Sequence, residues 1–255
     1  MTSPLPGSSA AGASDGAACP YWTPVDVDDD RMRAGLRRMA ARRRGDLDAG
    51  AVHVGWKVGW NEAGIRRLLG LRSGAVGYLT DLTLVTDGTV PVAAGTYAAE
   101  VEVAFTLRAA VGPADADGSV LAAIGQVQPA IEIVEFGELD VVDALERDIW
   151  HHAFALGPAT PWHPALVDDL AVRFRHNGAA VDVPPPRDDK LADVAAMLRF
   201  VAGGAEALGQ ELRAGDLVLA GSLARRVRWV SPGDRLDVDM APLGALSVTL
   251  QEAPG

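Results

Sequence analysis

From residue 52 onward the chain is a series of short apolar or alternating runs, separated by Gly, Pro and Asp. Runs of this kind, bounded by turn residues, are typical of β-strands. The pair Asn177-Gly178 between two such runs predicts a hairpin turn. The strand-like runs include VHVGWKVGW, GYLTDLTLV, EVEVAFTLR, AIEIVEF, LVLAGSL, DRLDVDM and ALSVTL. We therefore predict an α+β fold in which β-structure dominates after residue 52.

Four segments have helical character. An acidic start, a basic end and an apolar stripe predict a helix from Asp28 to Arg44. The other three predicted helices are NEAGIRRLLG, DALERDIWHHAFALG and KLADVAAMLRFVAGGAEALG. Residues 1–22 are rich in Gly, Ala, Ser and Pro and predict a flexible tail. We expect a helical N-terminal segment over 23–51 and a catalytic domain over 52–255.

Charge and composition exclude several classes of function. The chain has 23 Lys and Arg against 34 Asp and Glu, a net charge of −11, so we expect no nucleic-acid or membrane partner. The longest run without Asp, Glu, Lys or Arg, residues 149–167, holds three His and three Pro and predicts no membrane span. The single Cys19 cannot form an internal disulfide, and no secretion signal is visible, which together favour a cytoplasmic protein. P-loop, dinucleotide, serine-hydrolase and HExxH motifs are missing from the sequence.

Three glutamates lie in predicted strands. Glu100 and Glu102 are two residues apart, so their carboxylates share one face of a strand. Such a pair alone is typical of a solvent-facing edge. Glu132 has apolar neighbours on both faces of its strand, which predicts burial and hence a need for a cation, a hydrogen-bond donor or a proton. The pattern leaves open a structural pair with an arginine and an oxygen-ligand site for Mg2+ built from all three glutamates.

Lys57 lies in VGWKVGW between two glycines and two tryptophans. One interpretation is a strand lysine whose stem covers apolar surface. The other is a lysine in a partly apolar cleft, with a depressed pKa suited to proton transfer and with Asp81 as its carboxylate partner. Asp81 by itself also fits a turn. His151 and His152 lie on a predicted helix, about 100° apart, so that at most one of them faces a cleft. The six tryptophans are expected in the core.

The order of the motifs resembles the fumarylacetoacetate hydrolase superfamily. Seven motifs follow one another in that family's order, over about residues 52–250: GWKVGW, GYLTD, EVEVAF, PAIEIVEF, NG, LRAGDLVLAGS and PGDRLDVDMAPLGALSVTL. Within the superfamily the likeness is greatest to the 2-hydroxypenta-2,4-dienoate hydratases and 4-oxalocrotonate decarboxylases. The resemblance implies a mixed β-roll with a small helical N-terminal portion. It also implies a lyase that acts on an unsaturated 2-oxo or 2-enol acid.

The resemblance assigns roles to individual residues. It implies Mg2+ or Mn2+ bound through Glu100, Glu102 and Glu132, proton transfer by Lys57 and Asp81, and a substrate-carboxylate contact at Ser222. It also implies a homo-oligomer.

The sequence departs from the hydratases at three places. Ala98-Ala99 replaces Pro-Arg, Glu135-Phe136-Gly137 replaces an Asp-Ser-Arg run, and residues 150–152 replace Ala-Asp-Asn. These changes alter the polar substrate contacts and keep the carboxylates. They leave two other functions open: a C–C bond hydrolase of acylpyruvates, for which no spaced His-Glu pair is evident, and a repurposed member or partner subunit.

Overall fold

The structure is a computed structural model that describes residues 21–184, 191–224 and 227–253. Cys19, Arg225, Arg226 and the first 20 residues of the predicted tail lie outside the described residues. Trp22, at the end of that predicted tail, packs its ring against Phe200, with centroids 5.7 Å apart.

The secondary structure is mixed, as the sequence predicts. The helices are α1 (Asp30–Asp48), α2 (Ala63–Leu69), α3 (Asp117–Ala123), α4 (Val141–Glu146), α5 (Ala165–Asp168) and α6 (Val194–Ala207). The strands are β1 (His53–Gly59), β2 (Ala75–Thr80), β3 (Leu84–Val85), β4 (Thr89–Val92), β5 (Tyr97–Leu107), β6 (Ile124–Glu135), β7 (His151–Leu156), β8 (Thr160–Pro161), β9 (Ala171–His176), β10 (Ala179–Val181), β11 (Leu217–Leu219), β12 (Arg228–Val230), β13 (Arg235–Ala241) and β14 (Gly244–Glu252). Among these described residues, no helix has both the length and the apolar character to cross a membrane.

Two sheets organise the fold. The larger, of nine strands, has the order β2-β1-β11-β5-β6-β7-β3, with β12 also paired to β5 and β8 to β6. The smaller, of five strands, has the order β10-β9-β13-β14-β4. Most neighbours are antiparallel, whereas β1 with β11, β3 with β7 and β4 with β14 run parallel. The long strands β5 and β6 lie side by side in the larger sheet, and they carry the glutamates singled out above.

The N-terminal helix is fixed by its cap and its apolar stripe. The Asp29 side chain accepts hydrogen bonds from the backbone N–H groups of Arg31 and Met32, which satisfies two donors of the first turn. Met32, Leu36 and Met39 form its buried stripe. The helix extends to Asp48, slightly beyond the predicted end at Arg44. Together with α4, against which it packs, it covers part of the core.

The predicted helix DALERDIWHHAFALG is wrong in its second half. Helix α4 ends at Glu146, and His151 begins strand β7. Between them Asp148, Ile149 and Trp150 have left-handed backbone conformations, with φ of 54°, 56° and 61°. Three such residues in a row cannot continue a right-handed helix. The pairing of β7 with β6 outweighs the helical preference of residues 151–156, which form a strand.

Candidate metal centre

Sheet register brings the three glutamates together. Glu100 on β5 lies directly opposite Glu132 on β6, and Glu102 lies opposite Ala130, one step along the same face. Each of the three glutamates offers a carboxylate oxygen, and these oxygens all lie within 4.8 Å of one another. The shared face predicted for Glu100 and Glu102 is therefore present in the structure, and Glu132 lies beside them on the neighbouring strand.

Two of these carboxylates are buried and incompletely hydrogen-bonded. Glu102 and Glu132 have 0% of their surface exposed. Glu102 Oε2 accepts a hydrogen bond of 2.8 Å from the backbone N–H of Gly221, while Glu102 Oε1 and Glu132 Oε2 have no partner in the described part of the chain. Gly221 has a φ of 89°, a conformation that favours glycine, and it explains the glycine of the motif AGS after β11. Buried, unpartnered carboxylate oxygens are costly unless a cation or water meets them.

The electrostatics of the cluster show the same strain. Burial raises the pKa of Glu102 well above its usual value, and repulsion from Glu132 and Glu100 raises it further. Burial also disfavours the charged form of Glu132, but Lys57 and His151 outweigh it and hold the pKa of that carboxyl below its usual value. One carboxylate is thus compensated by protein cations or donors, and its neighbour is not. Hard oxygen donors with one excess buried negative charge fit a divalent cation such as Mg2+ or Mn2+.

Lys57 is the partner of Glu132. Its Nζ donates to Glu132 Oε1 at 2.5 Å and to the Ile149 carbonyl oxygen at 3.3 Å, and the lysine is only 2% exposed. The structural pair that the sequence suggested for Glu132 therefore forms with a lysine and not with an arginine. Burial acts to lower the pKa of Lys57, but Glu132 and Asp148 raise it above its usual value. The expectation of a depressed pKa for Lys57 is wrong in the metal-free protein.

Asp148 is a buried carboxyl group that the sequence analysis did not single out. Its Oδ1 accepts a hydrogen bond of 2.9 Å from the backbone N–H of Tyr78. A Cβ at Gly77 would lie 2.5 Å from this oxygen and 3.0 Å from Lys57 Cγ, so the glycine leaves room for both side chains. The left-handed stretch at Asp148, Ile149 and Trp150 turns the aspartate toward Lys57 and the Ile149 carbonyl onto Nζ. In the sequence, Asp148 lies in ERDIW on a predicted helix, and nothing in this local pattern indicates that its carboxyl group lies beside Lys57.

Asp81 does not form the expected pair with Lys57. It is exposed, at the start of a single turn of 3-10 helix (Asp81–Thr83), and its Oδ1 accepts from the backbone N–H of Val52 at 2.8 Å. Among the described residues, the acidic groups that act on Lys57 are Glu132, Asp148 and Glu100. The turn interpretation of Asp81 matches this position, and Asp148 takes the place beside the lysine that we expected for Asp81.

The two histidines lie on opposite faces of β7 because they belong to a strand. His151 Nδ1 lies 2.7 Å from Glu132 Oε1, and its Nε2 lies 3.0 Å from Thr83 Oγ1. His152 Nε2 lies 2.7 Å from the Pro91 carbonyl oxygen. A His-Glu pair absent from the sequence pattern thus forms between neighbouring strands. Both ring nitrogens of His151 lie within hydrogen-bond distance of protein groups, so in this arrangement neither nitrogen of this ring is free to activate a water molecule.

A cavity of about 370 Å³ opens onto this cluster. Lys57, Glu100 and Ser222 belong to its lining, so three of the predicted site residues share one cavity. Glu102 and Glu132, next to Glu100 in the sheet, are fully buried and do not belong to the lining. Of the tryptophans expected in the core, Trp60 and Trp150 are buried and also line the cavity. The expectation is wrong for Trp229, which is 49% exposed.

Replacing Asp148 by Asn is expected to change how stability depends on pH. Burial raises the pKa of Asp148 from an ordinary 3.8 to about 8. A raised folded-state pKa gives stability that is full below about 3.8 and is lost as the pH rises through about 8. The asparagine can still accept the hydrogen bond from the backbone N–H of Tyr78, but it does not titrate. In Asp148→Asn the fall in unfolding free energy between those two pH values should therefore be smaller than in the wild type, by on the order of 5 kcal/mol.

The measurement is denaturant unfolding of the chelator-treated wild type and variant between about pH 5 and pH 8. Glu102, whose pKa is also raised, is present in both proteins, so the difference between their pH curves reports on Asp148. Asp81→Asn makes the same chemical change on an exposed aspartate and serves as the control. Parallel pH curves for wild type and Asp148→Asn would contradict a buried, proton-holding Asp148.

Comparison with solved structures identifies the fold. The chain is similar to 4-oxalocrotonate decarboxylase from Pseudomonas putida G7, complexed with magnesium and adipate, with a TM-score of 0.76 and 21% identity over 89% of this chain and 90% of that one. It is also similar to fumarylpyruvate hydrolase from Pseudomonas aeruginosa in complex with Mn2+ and pyruvate, with a TM-score of 0.56 and 17% identity over 79% and 90% of the chains. A fumarylacetoacetate hydrolase family protein from Yersinia pestis CO92 matches with a TM-score of 0.59 and 17% identity over 78% and 93%.

No family model matches the chain, and no curated protein matches it. At these identities the likeness shows the fold, and the expected fumarylacetoacetate hydrolase-type α+β fold is confirmed.

Proposed function

We propose that the chain is a metal-dependent enzyme, a hydratase-type lyase that acts on an unsaturated 2-oxo or 2-enol acid. One observation carries the proposal: three glutamates converge at the cavity with two buried, unpartnered oxygens, beside a lysine that is held by hydrogen bonds. Solved proteins of the same fold that are complexed with magnesium or Mn2+ support it. In this proposal Glu100, Glu102 and Glu132 hold Mg2+ or Mn2+.

When bound, the cation would supply Lewis-acid stabilisation of the enolate charge that develops when such an acid loses a proton. The remaining work belongs to the chain. Lys57 lines the cavity and carries a proton at Nζ, because nearby carboxylates raise its pKa. It is therefore placed as the acid that donates to the substrate and as the base that recovers the proton.

Other residues orient this lysine and the substrate. Glu132 and the Ile149 carbonyl fix the direction of Lys57 Nζ. Asp148 adds a second carboxyl group near the lysine stem. The Ser222 hydroxyl, in the same lining as Lys57, is proposed to contact the substrate carboxylate.

Two alternatives use the same cavity. A C–C bond hydrolase of acylpyruvates is supported by the likeness to fumarylpyruvate hydrolase. The full engagement of His151 by Glu132 and Thr83 weighs against it, since hydrolysis needs a base for water. A repurposed member or a partner subunit is the second alternative. A cytoplasmic location and a homo-oligomeric state stay predictions.

The test is incubation of the purified protein with Mg2+ or Mn2+ and a series of conjugated 2-enol acids. A lyase should remove the ultraviolet absorbance of the conjugated chain. Mass spectrometry then separates gain of one water from loss of carbon dioxide, while a hydrolase gives two fragments. Failure to convert any of them, in a protein that binds the cation, would support the repurposed alternative against the lyase.

A further inference from the structure

An aromatic row follows one wall of the cavity. It consists of Trp60, Trp150, Phe136 and Trp229, and successive ring centroids are 6.0, 4.9 and 5.2 Å apart. The first three residues line the cavity, and Trp229 is 49% exposed. The row therefore leads from the buried interior to the surface. Rings at these distances and inclined to one another form a continuous aromatic wall, in which the indole N–H groups of Trp60 and Trp150 are buried donors without a partner among the described residues.

Two exposed aliphatic side chains also line this cavity. Leu68 on α2 is 66% exposed and Val227 is 53% exposed, and both belong to the cavity lining. With Trp229 they are three of the seven large hydrophobic residues that stand exposed in the described part of the chain. Ile65, one turn before Leu68, continues this apolar side into the cavity. Exposed apolar groups collected at an opening mark a ligand-binding groove.

The charges of the cavity favour one carboxylate on the ligand and not two. Among the described lining residues, Lys57 is the one basic group, and Glu132 already holds its Nζ. The other ionisable groups of this lining are Glu62 and Glu100, both acidic. A second carboxylate at the far end of a ligand would meet aromatic and aliphatic side chains there. It would lose hydration there, and the described lining offers it no second cation.

We propose that the cavity takes a 2-oxo or 2-enol monocarboxylate whose far end is an aromatic ring or an extended apolar chain. The acid end lies at the glutamates and Lys57, and the apolar end lies against the aromatic row, between Trp150 and Leu68. This inference rests on the proposed function, since it places the acid group at the metal centre. The volume of about 370 Å³ lies within the range of small-molecule sites.

Calorimetric binding in the presence of Mg2+ tests the proposal with four acids. Oxalate has no tail and reports on the metal end alone. The ligands 2-oxohexanoate and 2-oxoadipate have chains of equal length and differ by a distal carboxylate, and 2-oxo-4-phenylbutanoate adds a ring. We expect 2-oxohexanoate to bind about tenfold more tightly than 2-oxoadipate, and the phenyl acid at least as tightly as 2-oxohexanoate.

A charge at the mouth should reverse this order. Leu68→Arg, on an exposed position of α2, should weaken binding of the phenyl acid about tenfold, strengthen binding of 2-oxoadipate and leave oxalate unchanged. Leu139→Arg is the matched control, because Leu139 is 50% exposed and lies outside the lining of this cavity. It should leave the affinities for all four acids unchanged.

Each other result has a separate meaning. Equal or tighter binding of 2-oxoadipate by the wild type would overturn the proposal. Tight oxalate binding with no preference among the tails would overturn the inference and leave the proposed function standing. Absence of oxalate binding would defeat the proposed function and, with it, this inference.

Discussion

Adding Mg2+ or Mn2+ to chelator-treated protein is expected to raise its melting temperature by about 5–10 °C at a concentration about 100-fold above Kd. The reason is that Glu100, Glu102 and Glu132 each place a carboxylate oxygen within 4.8 Å of the other two. The side chains of Glu102 and Glu132 are fully buried. In the metal-free protein these carboxylate charges repel one another, and burial adds a desolvation cost. A cation that binds only the folded arrangement converts this repulsion into stability.

Glu102→Gln should remove most of this response. The substitution takes away the carboxylate whose Oε1 has no protein partner, and it leaves an oxygen that accepts from Gly221. In the presence of chelator the variant should be as stable as the wild type or more stable, because burial and the neighbouring glutamates already disfavour the charge of Glu102. Enzymatic turnover should be lost.

The measurements are thermal unfolding with and without cation, and calorimetric titration of the cation. Glu62→Gln is the matched control, since Glu62 lines the cavity but does not belong to the glutamate cluster. It should keep the wild-type response. If the titration shows no heat of binding and Glu102→Gln melts like the wild type in every condition, the three glutamates hold no metal.

Lys57→Met is expected to lower turnover by about 10²–10⁴-fold, the usual contribution of a general acid or base. It should also lower the unfolding free energy of the chelator-treated protein by about 3–5 kcal/mol, because Glu132 would be left buried without the ammonium group of Lys57. Of the residues that the structure describes, only His151 would still hydrogen-bond to Glu132 Oε1. Added Mg2+ should restore part of the stability and none of the turnover.

This contrast separates proton transfer from a structural role. A lysine that only neutralised Glu132 would be replaced by the cation in both measurements. The double variant Lys57→Met, Glu132→Gln removes both members of the pair and should recover much of the lost stability in chelator. If instead Lys57→Met kept its turnover in Mg2+, the catalytic role of this lysine would be wrong.

The sequence by itself determined the strand character of the site and the direction of its glutamates. Side chains alternate along a strand, so E-x-E in an apolar run fixes Glu100 and Glu102 on one face wherever that strand lies. The burial of Glu132 followed from apolar neighbours on both faces of its own strand. The hairpin turn at residues 177–178 followed from Asn-Gly. These are local properties, and the order of the motifs added the fold.

Only the tertiary structure decided which groups meet the glutamates. Lys57 reaches Glu132 over a sequence separation of 75 residues, because the order β1-β11-β5-β6 sets their strands in one sheet and β11 ends at Leu219, opposite Lys57. No local pattern specifies that order. Nor does any local pattern show that the chain leaves α4 through three left-handed residues, which place Asp148 where Asp81 was expected. Since β-sheet pairing is long-range, it overrides the helical preference of a short segment and decides which side chains meet.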